Sequence, residues 1–353
     1  MPKKFIKKTP YFIAEISANH NGCLHNAKKL IFHAKKYGAD AVKLQTYTAD
    51  TITIKSNRKE FFIKEGLWKG QYLWDLYDKA KTPFEWHRQL FDYARKINII
   101  CFSSPFDETA VDLLESLKTP FYKIASPEIT HIPLIKKIAR TKKLIIMSTG
   151  MANLKEIDLA YNAAKINGAK EIILLYCVSK YPCQISDYNF NNISILKKRY
   201  DCRVGFSDHS LENRIATIAV ASGAEVIEKH IALTHEKDAP DYNFSLKGRE
   251  IQKYAESIRE TSDMMGKSFF YRNPTEKKNL KFRQSIYAIS EIKKGEFFNK
   301  NNIKIIRPAN GLNPLFFNKL INKKSPVKIK KGTPLKISLL KKMHIKNINY
   351  YLG

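Results

Sequence analysis

The sequence predicts a (β/α)8 TIM barrel followed by a small β-rich domain. Between residue 11 and about residue 231, eight short apolar runs alternate with amphipathic stretches. The runs are rich in β-branched residues and almost continuously apolar, which is typical of parallel strands buried on both faces. Eight strand–helix units within roughly 250 residues favour a barrel. A doubly wound open sheet is disfavoured because no glycine-rich phosphate fingerprint follows the first run.

Each apolar run predicts one strand, and the segments between them predict helices. The predicted strands are residues 11–16, 40–45, 98–104, 121–126, 143–148, 171–177, 203–207 and 225–231. Residues 82–85, Thr-Pro-Phe-Glu, predict a capping box with proline at the first helical position. Residues 153–156 predict a second helix start, with asparagine as the cap.

The rest of the chain indicates how the domains are organised. Residues 46–81 contain many aromatic residues and are too long for a simple loop, so we expect a functional insertion above the barrel. Residues 266–282 break the pattern with glycine, proline and charge, and predict a linker after a barrel domain of residues 1–265. Short alternating segments joined by Lys-Lys-Gly turns predict a β-rich domain at 283–342, before a tail of residues 343–353.

Composition excludes several classes of protein. The chain has 353 residues, with 62 Lys+Arg against 33 Asp+Glu and a net charge of +29. The lysines are scattered along the chain and do not form one stripe, which favours a solvated basic surface over a nucleic-acid-binding face. An anionic small substrate would also benefit from the positive field. No apolar run approaches the ~20 residues of a membrane helix. Five cysteines without a C-x-x-C pair are typical of reduced thiols, so we expect a cytoplasmic protein.

Polar residues follow nearly every predicted strand, at the end where barrels carry their active sites. Lys43 and Lys123 lie inside strands, where an unpaired ammonium would be costly. Any one serine at a strand end is typical of a turn or cap. Several hydroxyls converging with two lysines instead predict an anion site for a phosphate and a carboxylate. The polar residues at these ends are Glu15, Lys43, Gln45, Ser104, Lys123, Ser126, Ser148, Ser179, Tyr181 and Ser207.

Two histidines predict a metal site. Glu228 and His230 are two residues apart and therefore share one face of their strand. His209 lies just past the neighbouring strand, whose axis should be ~5 Å away. Two imidazoles so placed can share one divalent metal and leave positions for water and substrate oxygens. The spacing does not choose among Mn²⁺, Zn²⁺ and Fe²⁺.

Other histidines and one aspartate are less distinctive. His20, His131 and His235 have no comparable partner, and we expect them to be structural. Asp241 lies in a loop that opens a helix. It can belong to the cap of that helix, or it can accept hydrogen bonds from substrate hydroxyls.

Together these segments resemble the sialic acid synthase family. The barrel motifs that carry the resemblance are FIAEISANHNG, GADAVKLQTYTADT, FSSPFD, YKIASPEITHIPLI, IIMSTGM, GFSDH, VIEKHI and APDYNFSL. QTYTADT, WDLYDKAKTPFEW and ASPEITHIPLI are most similar to the pseudaminic acid branch of that family. IRPANG and the Lys-Lys-Gly turns resemble the SAF, or antifreeze-like, domain that follows the barrel. The resemblance extends over about residues 10–340.

The resemblance implies a reaction. Phosphoenolpyruvate would condense with the open-chain aldehyde of an amino sugar, with C–O cleavage and release of phosphate, to give a nine-carbon 2-keto acid. In the pseudaminic branch the sugar is 2,4-diacetamido-2,4,6-trideoxy-L-altrose. The resemblance also implies that His209 and His230 bind a divalent metal, usually Mn²⁺, with Mg²⁺ or Co²⁺ as other possibilities.

The resemblance further implies roles for single residues. The positions that hold phosphate and carboxylate in the family are matched by Lys43, Lys123, Ser104, Ser126, Ser148 and Ser207. Ser179 stands where sialic acid synthases tend to carry asparagine, which implies a role in substrate selection. Arg307 in IRPANG matches an arginine that the SAF domain of the partner subunit inserts into the barrel mouth, which implies a domain-swapped homodimer. The positions around sugar and water are Glu15, Tyr181, Glu228 and Asp241.

Three alternatives remain open. Another synthase of the family, making N-acetylneuraminate or legionaminate, would use the same motifs. A Schiff-base aldolase would use Lys43 or Lys123 as an amine nucleophile. A barrel without activity would bind sugar or nucleic acid through its basic surface, although the intact polar residues at the strand ends speak against loss of catalysis.

Overall fold

The structure is a computed structural model that describes residues 10–181, 183–266 and 269–344. The chain divides into two compact units, Met1–Gly266 and Lys267–Gly353. This division falls one residue after the barrel domain predicted from the sequence. Part of the segment predicted to be a linker forms a 3-10 helix, Pro274–Phe282, within the second unit. Residues 345–353 of the predicted tail lie outside the described residues.

The first unit is a closed barrel of parallel strands, as predicted. Within the described part of the chain each of eight strands pairs with the next, and the first pairs with the eighth. A ninth strand of two residues extends the pairing of the eighth. The strands are β1 (Tyr11–Glu15), β2 (Ala41–Thr46), β3 (Ile100–Pro105), β4 (Phe121–Ile124), β5 (Leu144–Ser148), β6 (Glu171–Cys177), β7 (Arg203–Asp208), β8 (Val226–Ala232) and β9 (Leu246–Lys247).

Helices follow the strands of this unit. They are α1 (Leu24–Lys36), α2 (Ala49–Ile52), α3 (Leu73–Ala80), α4 (Phe84–Lys96), α5 (Glu108–Ser116), α6 (Ile132–Arg140), α7 (Leu154–Ile166), α8 (Asn191–Tyr200), α9 (Asn213–Ala221) and α10 (Arg249–Met265). Their apolar faces pack with the outward-facing strand residues in one large buried cluster. Among the described residues, no helix has the length and apolarity needed to cross a membrane.

The two predicted helix starts have different outcomes. The side chain of Asn153 accepts hydrogen bonds from the first turn of α7, and Glu156 completes the capping box, so this prediction is confirmed. The prediction for residues 82–85 is wrong. Because α4 begins one residue later than expected, Pro83 is itself the cap residue. Its side chain makes no capping hydrogen bond. The hydroxyl of Thr82 is buried and lies 3.3 Å from His20 Nε2.

Alternation along the strands determines what fills the barrel. A second apolar cluster comes from inward positions of the lower barrel, such as Ile13, Phe102 and Ile146. Two residues further along β1 the inward position is Glu15, and along β8 the inward position after Val226 is Glu228. The barrel therefore has an apolar floor and a polar mouth at the carboxyl ends of its strands.

The second unit has less β-structure than the sequence predicts. Within its described residues, β10 (Ser285–Ala288) and β11 (Ile303–Ile306) form an antiparallel pair. Two short helices, α11 (Phe317–Leu320) and α12 (Ile337–Lys342), pack with these strands around an apolar core. The predicted strands within residues 325–337 form isolated bridges only, because prolines and a glycine interrupt the ladder.

Candidate active site

A buried ion triad lies at the centre of the barrel mouth. The ammonium of Lys43 lies 2.9 Å from Glu15 Oε2 and 3.0 Å from Glu228 Oε1. Strand register produces this contact, because Glu15 pairs with Lys43 across β1 and β2, while β8 runs along the other side of β1. Burial alone would lower the pKa of Lys43, but the two carboxylates raise it. Lys43 is therefore a permanent cation held inside the protein.

Lys123 is the second buried ammonium. Its Nζ donates to Ser148 Oγ at 2.7 Å and to the backbone oxygen of Ile124 at 3.2 Å, and it lies 3.8 Å from Glu228. Burial lowers the pKa of Lys123 to about 8. Burial would raise the pKa of Glu228, but Lys123 and Lys43 together lower it. Both predicted strand lysines thus face the same carboxylate.

The predicted hydroxyl groups gather around these lysines. Ser104 Oγ lies 3.5 Å from Lys43 Nζ, and Ser207 Oγ donates to Glu228 Oε1 at 3.3 Å. Ser126 Oγ accepts a hydrogen bond from the Gly150 backbone at 3.1 Å. A Cβ placed on Gly150 would lie 2.2 Å from Ser179 Oγ, so these groups crowd one spot. Gln45 is half-buried on β2, opposite Ser104 in register.

The structure also brings the two predicted metal ligands together. The ring centres of His209 and His230 are 5.5 Å apart, and both rings are buried. His209 Nδ1 lies 3.2 Å from the backbone oxygen of Val178. Burial lowers the pKa of His209 to about 4 and that of His230 well below its ordinary value. Both imidazoles are therefore neutral at pH 7, which is the form that binds metals.

The donor set fits a divalent cation that has an open coordination sphere. His230 Nδ1 is buried without a hydrogen-bond partner and lies 3.6 Å from Asp241 Oδ2. Burial raises the pKa of Asp241 to about 6. Among the described residues, no group of three or more His, Cys, Asp or Glu side chains is arranged to hold a metal. The two imidazoles would thus need water or substrate oxygens to complete the sphere.

Aromatic rings surround the histidines. The Tyr181 ring centre is 4.4 Å from His209 and 5.1 Å from Phe244, and Phe244 is 4.9 Å from His230. Segment 46–81 reaches this wall, since Trp68 Nε1 donates to the Pro240 backbone oxygen at 3.2 Å. The predicted insertion therefore contacts the loop that carries Asp241.

Sequence reasoning missed several residues of the site. Ser17 donates to the carboxylate of Asp241, and its backbone donates to Glu15 at 2.8 Å. Glu128 has a buried carboxylate oxygen without a hydrogen-bond partner, and burial raises the pKa of this group to about 7. Ser17 follows the predicted site residue Glu15 by two positions, a signal that could have found it. Glu128 is among the polar residues that the sequence places at the end of the fourth predicted strand, although the sequence assigns it no role. Phe244 and Trp68 had no such signal.

Arg307 lies in the second unit. It directly follows β11 and is exposed. Among the histidines expected to be structural, His20 is buried and its Nδ1 accepts a hydrogen bond from the Gly22 backbone at 3.1 Å.

Residues 30–269, which include most of the barrel and of its polar mouth, match the model of the NeuB family. The chain belongs to the NeuB family. It is 41% identical over 329 residues to the pseudaminic acid synthase of Campylobacter jejuni, covering 93% of this chain and 96% of that relative. It is 39% identical to the N,N'-diacetyllegionaminic acid synthase of the same species, over 90% of this chain and 96% of the relative.

A solved structure agrees with this NeuB assignment. The N-acetylneuraminic acid synthetase of Leptospira borgpetersenii, crystallised with citrate, matches with a TM-score of 0.70 and 30% identity. The match covers 77% of this chain and 90% of that chain. The resemblance to sialic acid synthases expected from the sequence is therefore confirmed.

Proposed function

We propose that the protein is a pseudaminic acid synthase, which condenses phosphoenolpyruvate with 2,4-diacetamido-2,4,6-trideoxy-L-altrose. The observation that carries the proposal is the convergence of Lys43, Lys123 and the strand-end hydroxyls beside His209 and His230. Identity of 41% along 93% of the chain to a pseudaminic acid synthase supports the choice of sugar. Identity to a legionaminic acid synthase is slightly lower, at 39%.

Phosphoenolpyruvate would bind at the donor-rich part of the mouth. Lys43 and Lys123 supply two ammonium groups, and Ser104, Ser126 and Ser148 supply hydroxyls toward its phosphate and carboxylate. Donors fixed in a dry site act far more strongly than donors in water, because they need no reorganisation as charge develops. Ser207 and the half-buried Gln45 lie at the border of this group.

The bond changes require one proton donor and one proton acceptor. C3 of phosphoenolpyruvate attacks the aldehyde carbon, whose oxygen takes up a proton. Water adds to C2 and loses one proton to the acceptor. The resulting C2 hydroxyl then gives its proton to the departing phosphate as the C2–O bond breaks, which leaves the 2-keto acid and hydrogen phosphate. Among the buried carboxyls of the mouth, Glu15, Glu228 and Asp241 would carry out these transfers. Burial raises the pKa of Glu15 and Asp241, so either can hold a proton close to neutral pH.

A divalent cation would assist at the aldehyde. His209 and His230 are the residues that would hold it, with Mn²⁺ expected and Mg²⁺ or Co²⁺ as substitutes. When bound, the ion supplies Lewis-acid polarisation of a carbonyl oxygen. Tyr181 packs against His209, and the hydroxyl of Ser179 lies beside Gly150, next to that of Ser126. We propose that Tyr181 and Ser179 contact the sugar.

Mass spectrometry of products tests the proposal. Phosphoenolpyruvate is incubated with the trideoxy altrose, with its 2,4-diacetamido-2,4,6-trideoxy stereoisomers and with N-acetylmannosamine, each with Mn²⁺ and with EDTA. We expect a nine-carbon keto acid from the altrose only, and only with metal. A preference for another sugar would instead assign another synthase of the family. Borohydride trapping of substrate on Lys43 or Lys123 would assign a Schiff-base aldolase.

The second unit would complete the site of a partner subunit. We propose that it is an SAF domain, and that its exposed Arg307 enters the barrel of the other chain in a domain-swapped homodimer. The test mixes two inactive variants, Arg307→Ala and His209→Gln, after partial unfolding and refolding together. Statistical exchange should restore about a quarter of wild-type activity, since half of the dimers then carry one intact site. No recovery in mixed dimers of confirmed composition would contradict the swap.

A further inference from the structure

A hairpin within segment 46–81 positions one tryptophan at the mouth of the barrel. Phe62 and Tyr72 form an antiparallel bridge, and Ile63 exchanges backbone hydrogen bonds with Gln71 and Gly70 at 2.9 Å. Trp68 lies near the tip of this hairpin and is half-buried. Its ring centre is 5.6 Å from that of Tyr181. None of the roles proposed above uses Trp68.

The Trp68 ring continues an aromatic wall that leads away from the two histidines. The wall passes from His209 to Tyr181 at 4.4 Å and from Tyr181 to Trp68 at 5.6 Å. The indole N–H already donates to the Pro240 backbone oxygen. Trp68 therefore offers a ligand only the apolar surface of its ring. Donor groups are concentrated instead around Lys43 and Lys123.

We propose that Trp68 is a specificity-determining residue that packs against the terminal methyl group of a 6-deoxy sugar. This inference rests on the proposed function in one respect, that a sugar aldehyde lies beside His209 and His230. An open-chain six-carbon sugar with C1 at the imidazoles extends its far end along the aromatic wall. A methyl group there gains apolar contact, whereas a hydroxymethyl group loses its water without finding a partner on the indole.

The expected selectivity is moderate. An apolar pocket rejects an added hydroxyl by up to about 100-fold in kcat/KM. We expect the wild-type protein to prefer a 6-deoxy sugar over its 6-hydroxy analogue by 10- to 100-fold, a range typical of such pockets. Removing the ring in Trp68→Ala should reduce this preference to a few-fold. The loss should arise mainly from a higher KM for the deoxy sugar, with KM for phosphoenolpyruvate unchanged.

The test compares both sugars in four proteins. Wild type, Trp68→Ala, Trp68→Phe and Trp74→Phe are assayed with 2,4-diacetamido-2,4,6-trideoxy-L-altrose and with its 6-hydroxy analogue. Trp74 is the matched control, because it lies in the same segment but donates its indole N–H to Asp50 at 2.7 Å. Trp68→Phe keeps an apolar ring and loses the bond to Pro240, so it should retain most of the selectivity. Trp74→Phe should behave as wild type.

Two results would overturn the inference. One is unchanged selectivity in Trp68→Ala. The other is an equal loss of selectivity in Trp68→Phe and Trp68→Ala, because the bond to Pro240 would then account for the effect. Failure of the proposed function looks different, because the wild type would turn over another sugar of the panel. The same deoxy and hydroxy comparison is then made with that sugar, and the two results above keep their meaning.

Discussion

The ammonium of Lys229 lies 3.5 Å from the carboxylate of Asp208, and both side chains are almost fully buried. The two residues face each other in the register of β7 and β8. Each directly precedes one of the two histidines of the mouth. Lys229 also donates to the backbone oxygen of Ser210, and the Tyr254 hydroxyl donates to Asp208 at 2.7 Å. A closed polar network therefore holds the ends of both strands that carry the imidazoles.

We predict that Lys229→Met destabilises the protein. The substitution leaves Asp208 buried with the Tyr254 hydroxyl and the Ser210 backbone N–H as partners but no cation, and breaking a buried pair on one side costs about 3–5 kcal/mol. Urea unfolding measures the effect. The double variant Asp208→Asn/Lys229→Met should recover part of the loss, because no unpaired charge remains. Lys197→Met is a suitable control, since it breaks a half-exposed pair with Glu225, for which about 1 kcal/mol or less is expected. Equal stability of wild type and Lys229→Met would contradict the prediction.

Much of the barrel could be predicted because strand signals are local. Strands buried on both faces give continuous apolar runs, and the two-residue period of a strand shows which residues share a face. Glu15, Lys43 and Lys123 were found from the ends and interiors of these runs. The closed parallel sheet then brings all three together, so predicting this buried charged cluster required no knowledge of helix packing.

Contacts between distant loops could not be predicted in this way. Trp68 meets Pro240 across 172 positions of sequence, and no periodic pattern relates two loops. Asp208 and Lys229 belong to the motifs GFSDH and VIEKHI, which also contain the two histidines of the mouth. Their side chains nevertheless lie on the outer face of the barrel, where Tyr254 of α10 contacts Asp208. Thr82 shows the limit for helix starts, because its capping signature competes with a hydrogen bond to His20 that depends on the packed barrel.

We predict that binding of phosphoenolpyruvate is linked to uptake of a proton by the amine of Lys123. Burial lowers the pKa of Lys123 to about 8, so at pH 8.5 most of this amine is neutral in the free protein. A bound phosphate favours the charged form, so binding at that pH should be accompanied by uptake of a substantial fraction of a proton per site. Calorimetric titration with phosphoenolpyruvate in buffers of different ionisation enthalpy measures this uptake.

The binding constant should follow the same linkage. Affinity for phosphoenolpyruvate should weaken as the pH rises above about 8. Lys123→Arg serves as the control, because a guanidinium remains charged throughout this range. Its uptake at pH 8.5 should be close to zero, and an uptake equal to that of the wild type would assign the proton to another group.

We predict that Gly150→Ala weakens the binding of phosphoenolpyruvate without destabilising the fold. An added Cβ would lie 2.2 Å from Ser179 Oγ and 2.7 Å from Ser126 Oγ, so Gly150→Ala must displace these hydroxyls. Losing the hydrogen bond that Ser126 would make to phosphoenolpyruvate, worth about 1 kcal/mol, should raise KM for this substrate roughly 5-fold. Steady-state kinetics and thermal melting give the two readouts.

Two matched variants separate binding from folding in this case. Adding Ser179→Ala to Gly150→Ala removes the closer obstacle and should restore part of the affinity. At Gly205 an added Cβ would meet the Val226 backbone oxygen at 2.2 Å, so Gly205→Ala should lower the melting temperature instead. An unaltered KM for phosphoenolpyruvate in Gly150→Ala would show that the hydroxyl of Ser126 does not contact this substrate.

We predict that the folded protein loses stability in acid because two histidines outside the mouth, His20 and His87, are buried. His87 Nδ1 lies 3.0 Å from the Pro83 backbone oxygen, and Nε2 lies 2.8 Å from Thr46 Oγ1. Burial lowers the pKa of both His20 and His87 to about 4. Between pH 6.5 and 4 the unfolded chain binds protons that the folded protein does not, so stability falls as the pH decreases through this window.

His87→Gln should remove one of these contributions. Each buried histidine accounts for about 3 kcal/mol of the stability lost between pH 6.5 and 4. The variant should therefore be less stable than wild type at pH 7.5, where it lacks the imidazole packing, yet lose less stability on acidification. Melting temperatures at pH 7.5 and pH 5 measure the difference, with the exposed His235→Gln as control. Parallel pH profiles for His87→Gln and wild type would mean that His87 carries no such penalty, and the acid response would then have to come from other buried groups of the barrel.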